Sequence, residues 1–261
     1  MSLDQDTLHQ LLDTIRRFVR NRLMPLEEQV ASTDQIPESV ISEMRELGLF
    51  GLTIPEEYGG LGLNTEEECK VAIELGYTSA AFRSVIGTNN GIGSQGLVMD
   101  GTDDQKENYL PRLASGEIIG SFALTEPNVG SDSANVQTKA EKDGDSYILN
   151  GTKRWITNAN IANLFTVFAR TDQSQKGSSG VSAFLVDANT PGISLSSKYK
   201  KMGQQGAHVC DVIFDNCRVP EVNIIGGPNN VNNGFKTAMK TLDRGRIHIL
   251  SLIHISEPTR R

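Results

Sequence analysis

The sequence predicts an α+β protein with several domains, and the main observation behind this is a change in hydrophobic period along the chain. Over residues 1–116 apolar residues recur at helical spacing, which predicts an N-terminal all-α domain. Over residues 117–228 they alternate in short runs rich in β-branched and aromatic residues, which predicts a middle antiparallel β domain. From residue 229 the helical period returns, so we expect the start of a further helical domain over residues 229–261.

Helix-end signals divide the N-terminal domain. Pro25 is predicted to close the first helix, and Pro37 and Gly48 to begin and end the second. Thr65 is the predicted N-cap of a third helix, whose first turn carries three glutamates that suit the positive end of the helix dipole. Two further helices are expected, over residues 79–100 and 103–113.

Two dipeptides predict hairpin turns in the β domain. Asp143-Gly144 and Asn150-Gly151 flank the apolar run SYIL, and such pairs favour two-residue β turns. Three later runs, LFTVFAR, VSAFLVD and VCDVIFD, are typical of strands with a buried face. Together these segments predict a second domain of antiparallel β structure.

Composition excludes several classes of partner. The 261 residues carry a formal net charge of −7, and their scattered Lys and Arg form no basic stripe, so we expect no nucleic acid partner. Three cysteines without a CxxC motif indicate neither a disulfide framework nor a zinc site, which suits a reducing compartment. No apolar stretch of about 20 residues is present, so we expect no stable membrane insertion.

The run Gly91–Gly96 matches the GxGxxG pattern of dinucleotide-binding proteins. That fingerprint follows a buried strand and opens a helix, whereas this run lies inside a predicted helical region. We therefore interpret its glycines as small residues at a helix bend or contact, and we reject an NAD-binding site.

Two polar motifs in the β domain are candidates for a cofactor site. FALTEPNVGSD, residues 122–132, is a strand ending in a glycine-containing loop whose hydroxyls and backbone N–H groups suit an anion or a polar ring edge. NGTKRWITNA, residues 150–159, carries Trp155 and Thr157 two residues apart, hence on one face of a strand. This combination suits a flat heteroaromatic cofactor. The alternative is that the chain's single tryptophan is a core residue.

These two motifs, together with IPEEYGGLGL, KMGQQGAHVCDVIFDNCRVP and FKTAMKTLDRGRI, resemble the acyl-CoA dehydrogenase family in order and spacing. The resemblance implies an N-terminal helical domain, a middle β-barrel and a C-terminal four-helix bundle. FAD would lie between the last two domains. The chain would then end inside the bundle, which is cut off.

The resemblance also assigns candidate site residues. FAD would contact the strand end at Phe122, Leu124 and Thr125, the loop at Ser131, and the segment Trp155, Ile156 and Thr157. The CoA arm of the substrate would contact Ser131, Asp243 and Arg246. Without the motif match, a surface ion pair within one helix would be the preferred interpretation of Asp243 and Arg246.

The implied reaction is FAD-dependent α,β-dehydrogenation of an acyl-CoA thioester, with electrons passed to an electron-transferring flavoprotein. In the family the catalytic base is a Glu, usually late in the C-terminal domain. In a minority it lies two residues after the aspartate of the LDRGRI segment, where this chain has Gly245. We therefore expect that this chain contains no catalytic base and that it is inactive as a fragment. The full-length protein would be close to the short- and medium-chain enzymes. The alternatives are an acyl-CoA oxidase, a flavin monooxygenase of the same superfamily, or a non-catalytic fragment.

The resemblance further implies a homotetramer, in a bacterial cytoplasm or in the mitochondrial matrix of a eukaryote. The last eleven residues, SLIHISEPTRR, depart from the family. They resemble translated sequencing-adaptor read-through, so we expect an artefactual tail from about residue 251.

Overall fold

The computed structural model describes residues 3–251 and confirms the predicted α+β architecture, in which a helical domain precedes a curled sheet and a long final helix. The helices are α1 Gln5–Phe18, α2 Glu27–Thr33, α3 Glu38–Glu46, α4 Thr65–Leu75, α5 Ala80–Thr88, α6 Gln95–Asp100, α7 Asp103–Ser115 and α8 Gly234–Ser251. The strands are β1 Gly120–Ala123, β2 Lys139–Asp143, β3 Ser146–Thr157, β4 Leu164–Arg170, β5 Val181–Asp187, β6 Ile193–Leu195 and β7 Val209–Pro220. Apart from its first residue, the expected artefactual tail lies outside the described residues.

The first helix does not end at Pro25, and the prediction of a stop there is wrong. The helical path continues through a π turn, Val19–Leu23, and a 3-10 turn, Met24–Leu26, into α2. Proline disrupts a helix because it lacks an N–H donor and its ring crowds the preceding turn. At the start of a short 3-10 turn no intrahelical donor is required, so the change of helix type accommodates the proline.

The cap of α4 is Asn64, one residue before the predicted Thr65. Asn64 Oδ1 accepts hydrogen bonds from the backbone N–H groups of Glu66 and Glu67, at 2.9 and 3.0 Å. Glu67 Oε2 in turn accepts from Asn64 N at 2.9 Å, which completes a capping box. The acidic first turn is as predicted.

The helix predicted over residues 79–100 is interrupted in the middle. A π turn, Asn89–Gly93, separates α5 from α6, and Gly91 leaves the helical conformation with φ −88° and ψ −108°. Among the described residues before this segment, from residue 3 onward, there is no strand of the kind that a dinucleotide fingerprint follows. The buried Asn89 amide donates to the carbonyls of Phe50 and Leu113, both at 3.0 Å, and its oxygen accepts from Gly120 N at 2.8 Å. This side chain therefore ties the helical domain to the start of β1.

The sheet has the strand order β1-β4-β2-β3-β7-β6, with β5 paired to β4. Most neighbouring strands are antiparallel, as predicted, but β4 is parallel to both of its neighbours in this order, β1 and β2. Parallel neighbours need a long crossover, and the loop and hairpin between β1 and β4 supply one. The alternation of apolar and polar residues along a strand does not show whether the strand pairs with a parallel or an antiparallel neighbour. The apolar side chains of the sheet meet in one buried cluster, with Phe165, Phe184 and Phe214 among its largest members.

Of the two predicted hairpin turns, one is confirmed and the other is wrong. Asp143-Gly144 lies in the turn that joins β2 to β3. Asn150-Gly151 lies inside β3, where the pairing with β7 shifts register. Gly151 has φ +153°, and a Cβ atom there would lie 2.6 Å from the Thr138 hydroxyl oxygen. Glycine is therefore required here by a close approach within the sheet and not by a turn.

Helix α8 packs on the rest of the molecule through its first half. Phe235, Met239 and Leu242 join an apolar cluster with residues of α6 and β5, whereas Ile247 and Ile249 are about half exposed. Within residues 3–251, none of the helices combines the length and apolar character needed to cross a bilayer.

Candidate functional site

The ends of β1 and β3 lie side by side. The backbone N–H of Arg154 donates to the Thr125 carbonyl at 2.8 Å, and the Ser121 hydroxyl donates to the Thr157 carbonyl at 2.7 Å. These contacts bring the Phe122–Thr125 segment, predicted from one motif, against the Trp155–Thr157 segment, predicted from the other. Within the first segment Phe122 and Leu124 are buried and Thr125 is partly exposed.

Trp155 occupies an irregular position in β3. The pairing with β7 shifts between Lys153 and Ile156, and Trp155 has φ +56°, which is rare for a bulky residue. The regular alternation that we used to place Trp155 and Thr157 on one face is therefore broken. The indole is 61% exposed, so the alternative that Trp155 is a core residue is wrong.

Asp211 of β7 holds this irregular segment. Its carboxylate accepts the Trp155 backbone N–H at 3.3 Å, the Arg154 guanidinium at 3.3 Å, and the Tyr199 hydroxyl at 3.0 and 3.1 Å. A left-handed conformation at a non-glycine residue costs about 1–3 kcal/mol and persists when its surroundings constrain it. Asp211 is such a constraint on the backbone at Trp155, whose indole is exposed.

Four polar groups of the predicted residues lack a hydrogen-bond partner within the described part of the chain. They are the hydroxyls of Thr125, Ser131 and Thr157 and the indole N–H of Trp155. Thr125 and Thr157 are only partly exposed, so their hydroxyls are available to a bound polar group. Ile156 differs, because its side chain is buried in the core of the sheet.

A buried ion pair lies directly behind these strand ends. Lys153 Nζ is 2.8 Å from Glu126 Oε1 and donates to the Leu124 carbonyl at 3.2 Å, and both charged side chains are buried. The Glu126 carboxylate also accepts the backbone N–H groups of Gln137 and Thr138, at 2.7 and 2.8 Å. The pair therefore joins β3 to the loop between β1 and β2.

Burial shifts the ionisation of both partners. It lowers the pKa of Lys153 to about 8, although the Glu126 charge acts in the opposite direction. Burial alone would raise the pKa of Glu126, but the Lys153 charge and the hydrogen bonds that the carboxylate accepts outweigh it, so that pKa lies below its ordinary value. At neutral pH the two groups form a charged pair.

We expect the contribution of Glu126 to the stability of the fold to be lost at acid pH. Its pKa is lower in the folded than in the unfolded protein, so the carboxylate stabilises the fold above pH 4.5, the ordinary glutamate value, and this stabilisation is lost as the pH falls through the folded pKa. The difference in free energy of unfolding between the wild type and Glu126→Gln should shrink below pH 4.5. Urea titrations at several pH values measure it, and a difference independent of pH would contradict the assignment.

Glu126 and Lys153 lie within the motifs FALTEPNVGSD and NGTKRWITNA, but neither residue was predicted to have a role. The available signal was a charged residue inside each of two otherwise apolar strand segments. Because the two residues are 27 positions apart, only the fold shows that they pair.

A pocket of about 520 Å³ opens beside Thr157. Its walls come from α5, the π turn, the end of β3 and α8. The lining residues are Arg83, Ser84, Gly87, Thr88, Gly91, Ile92, Thr157, Leu242, Gly245, Arg246, His248, Ile249 and Leu250. Three of these are glycines, which leave the space that side chains would fill, and the walls are mainly apolar. None of the lining residues that the structure describes is a carboxylate.

The predicted substrate residues are only partly brought together. Asp243 and Arg246 form an ion pair across one turn of α8, and both side chains are exposed. Arg246 lines the pocket beside Thr157, whereas Asp243 lines a different surface depression and Ser131 lies in the exposed loop after β1. The surface ion pair considered from the sequence is therefore present, and one of its members also borders the pocket.

Comparison with known proteins places the chain in a family. Residues 5–117 match the model "Acyl-CoA dehydrogenase, N-terminal domain", and residues 121–217 match "Acyl-CoA dehydrogenase, middle domain". Among curated relatives, the probable acyl-CoA dehydrogenase YngJ of Bacillus subtilis is 39% identical over 92% of this chain and 62% of its own length.

Solved structures agree with this match. Butyryl-CoA dehydrogenase from Megasphaera elsdenii is 32% identical with a TM-score of 0.89, over 97% of this chain and 66% of that one. Acyl-CoA dehydrogenase from Bacillus anthracis, solved in complex with FAD, is 33% identical with a TM-score of 0.87, over 97% of this chain and 42% of that one. The chain thus spans less than two thirds of the length of these relatives, and it belongs to the acyl-CoA dehydrogenase family.

Proposed function

We propose that the protein catalyses FAD-dependent α,β-dehydrogenation of acyl-CoA thioesters. The observation that carries this proposal is the position of Thr157. It ends the β3 segment that presents the exposed Trp155 indole, and it also lines the mainly apolar pocket beside α8. A flavin held by the strand ends and an acyl chain held by the pocket would therefore meet at this residue.

FAD is the cofactor of this proposal, and the residues at the strand ends suit it. The backbone and hydroxyl groups of the Phe122, Leu124 and Thr125 segment would receive the polar edge of the flavin ring. Trp155 would cover the ring, the Thr157 hydroxyl would donate to a ring nitrogen, and the backbone of Ile156 would lie between them. The partly exposed, unpartnered hydroxyls of Thr125 and Thr157 support this assignment.

Charged groups near α8 suit the CoA part of the substrate. We propose that Arg246, which borders the pocket, donates to the CoA arm, with Asp243 as an acceptor one turn away. Ser131 would contact a phosphate of FAD or CoA from its exposed loop, where hydroxyl and backbone donors suit an anion.

The proposed reaction removes two hydrogens from the acyl chain. A base takes the proton from Cα, the hydride leaves Cβ, and the thioester gains a carbon–carbon double bond. FAD, when bound, supplies the acceptor of the hydride and of its electron pair. The pocket orients Cα and Cβ and excludes water. Since none of the described lining residues is a carboxylate and Gly245 carries no side chain, we propose that the base is a glutamate outside this chain.

Further partners belong to the proposal. Electrons would pass to an electron-transferring flavoprotein, and the complete protein would form a homo-oligomer, expected to be a tetramer. A bacterial cytoplasm or a mitochondrial matrix is the proposed compartment.

The complete gene product should purify with flavin absorbance and reduce a dye when an acyl-CoA is added. Failure to bind FAD after reconstitution, or oxygen consumption in place of transfer to an electron-transferring flavoprotein, would contradict the proposal.

The 261-residue chain alone is expected to reduce no dye with butyryl- or octanoyl-CoA. The reason is the lack of a carboxylate among the described pocket residues, since removal of the α-proton needs a base within hydrogen-bond reach. Dye reduction is measured beside a heat-killed sample and beside the complete gene product as a positive control. Activity of the 261-residue chain above the heat-killed sample would show that the base lies within it.

A further inference from the structure

The buried pair of Lys153 and Glu126 has its positive end at a backbone carbonyl. Lys153 Nζ contacts Glu126 Oε1 at 2.8 Å and the carbonyl oxygen of Leu124, just after β1, at 3.2 Å. The negative end is held by other donors, the backbone N–H groups of Gln137 and Thr138. The Lys153 side chain is fully buried, so water screens its charge from the Leu124 carbonyl far less than it would at the surface.

The carbonyl that Lys153 contacts belongs to the peptide that joins Leu124 to Thr125. This peptide is trans, so its C=O and N–H groups point in opposite directions, and the Thr125 N–H points away from the Lys153 ammonium. Leu124 is buried, whereas Thr125 is partly exposed. Within the described residues, the Thr125 N–H donates to no other group. One peptide therefore has a buried cation at its oxygen and an available donor at its nitrogen.

A cation at the oxygen of a peptide strengthens the donor at its nitrogen. The ammonium draws electron density towards the carbonyl oxygen and leaves the N–H proton more positive, because hydrogen bonds that share a peptide polarise one another. The effect is larger in a protein interior than in water, since the effective dielectric constant is lower there. The Thr125 N–H is therefore a stronger donor than an ordinary backbone amide, and it favours an acceptor that carries negative charge.

The proposed reaction creates such an acceptor. A hydride carries one negative charge, so a flavin ring that receives the hydride gains that charge. The polar edge of the ring is the part proposed to meet the backbone of the Phe122–Thr125 segment. A donor that is already oriented where charge develops stabilises the charged state more than the neutral one. The Thr125 N–H would therefore bind the reduced flavin more strongly than the oxidised flavin.

We propose that Lys153 acts through the Leu124–Thr125 peptide to raise the reduction potential of the bound flavin. The inference rests on the proposed function and gives the buried pair a role besides joining β3 to the loop after β1. Lys153 is a positioning residue, because it contacts the peptide and not the flavin. Its ammonium favours binding of the reduced over the oxidised cofactor, whereas a purely structural ion pair would support both forms equally.

The test uses the double variant Lys153→Met with Glu126→Gln in the complete gene product with FAD bound. It removes both charges, keeps the net charge of the protein, and puts uncharged groups of similar size in place of a buried ion pair, a change that is often nearly neutral for stability. Equilibration with a reference dye measures the potential of the bound flavin. We expect the ratio of reduced to oxidised FAD affinity to fall about 10-fold, which lowers a two-electron potential by about 30 mV.

A second double variant, Lys70→Met with Glu66→Gln, is the matched control. It changes the same two residue types and also keeps the net charge, but this pair is exposed on α4, outside the candidate site. The flavin potential should equal that of the wild type. Lys153→Met alone should lower the potential further than the double variant does, because the Glu126 carboxylate then remains as an unpaired negative charge. The double variant decides the matter even if Lys153→Met fails to fold.

The outcomes also distinguish this inference from the proposed function. If the double variant of Lys153 and Glu126 has the wild-type potential, even with weaker binding of both redox forms, the pair only holds the strand segments and the inference is wrong. A potential above that of the wild type overturns it as well. In both cases dehydrogenation stands, provided that the wild type binds FAD and oxidises an acyl-CoA. If the wild type binds no FAD, the proposed function is wrong, and this inference fails with it.

Discussion

Replacing Lys153 by methionine is expected to lower the free energy of unfolding by about 3–5 kcal/mol. The substitution removes the cation of the buried pair and leaves the Glu126 carboxylate charged, because that carboxylate still accepts two backbone N–H groups. A buried charge without a partner is among the most costly defects in a protein interior. Chemical denaturation of the complete gene product, followed by circular dichroism, measures the change.

A matched control is available on the surface. Lys70 and Glu66 form an exposed pair on successive turns of α4, and Lys70→Met should change the free energy of unfolding by no more than about 0.5 kcal/mol. A double variant, Lys153→Met with Glu126→Gln, should recover part of the loss, because it removes the unpaired charge. If Lys153→Met were as stable as Lys70→Met, the ion pair would not be holding the two strand segments together.

Hydrophobic period predicted the elements of the fold, and local chemistry predicted some of their ends. The helical repeat of the N-terminal domain and the strand runs of the middle domain are present because burial of one face requires such patterns. The predicted helix end at Pro25 was wrong because a change of helix type can accommodate a proline. The role of Asn150-Gly151 was missed because a glycine that permits a close approach has the same sequence signature as a glycine in a turn.

In the candidate site, too, local sequence predicted some features and not others. Exposure of Trp155 is a consequence of the bulge in β3 and of its contact with Asp211, which is 56 residues away, so no local pattern could show it. The Arg83 contact with His248 spans 165 residues. The sequence motifs indicated which segments form the candidate site, but the pairing of charges behind it depends on how distant helices and strands pack.

Irregular backbone and buried charge occur together at this site. The bulge at Trp155 turns the indole outward, Asp211 accepts the backbone N–H of the irregular residue, and Lys153 contacts the Leu124 carbonyl of the neighbouring segment. Regular β structure would bury alternate residues of β3 and would present fewer polar groups at the strand ends. We infer that the ion pair and Asp211 hold the two segments in place, so the hydroxyls of Thr125 and Thr157 have fixed positions before any ligand binds.

Replacing Thr157 by valine should weaken FAD binding without a comparable loss of stability. The change nearly conserves shape but removes a hydroxyl that has no partner among the described residues, and a flavin acceptor left unpaired costs about 1–3 kcal/mol, or roughly 5–150-fold in the dissociation constant. Flavin fluorescence during titration of the apoprotein of the complete gene product measures the affinity, and thermal melting of the same apoprotein measures the stability.

Two further variants give this prediction its controls. Thr152→Val changes a partly exposed threonine of the same strand that does not line the pocket, and it should leave FAD affinity unchanged. Trp155→Phe should weaken FAD binding less than Thr157→Val, because an aromatic ring would still cover the flavin in the proposed site. If Thr157→Val and Trp155→Phe both bound FAD as the parent does but melted markedly lower, the two residues would serve packing, and the flavin would have to bind elsewhere. Because Trp155 is exposed and the Thr157 hydroxyl is unpartnered within the described chain, we expect the loss in FAD affinity and not in melting temperature.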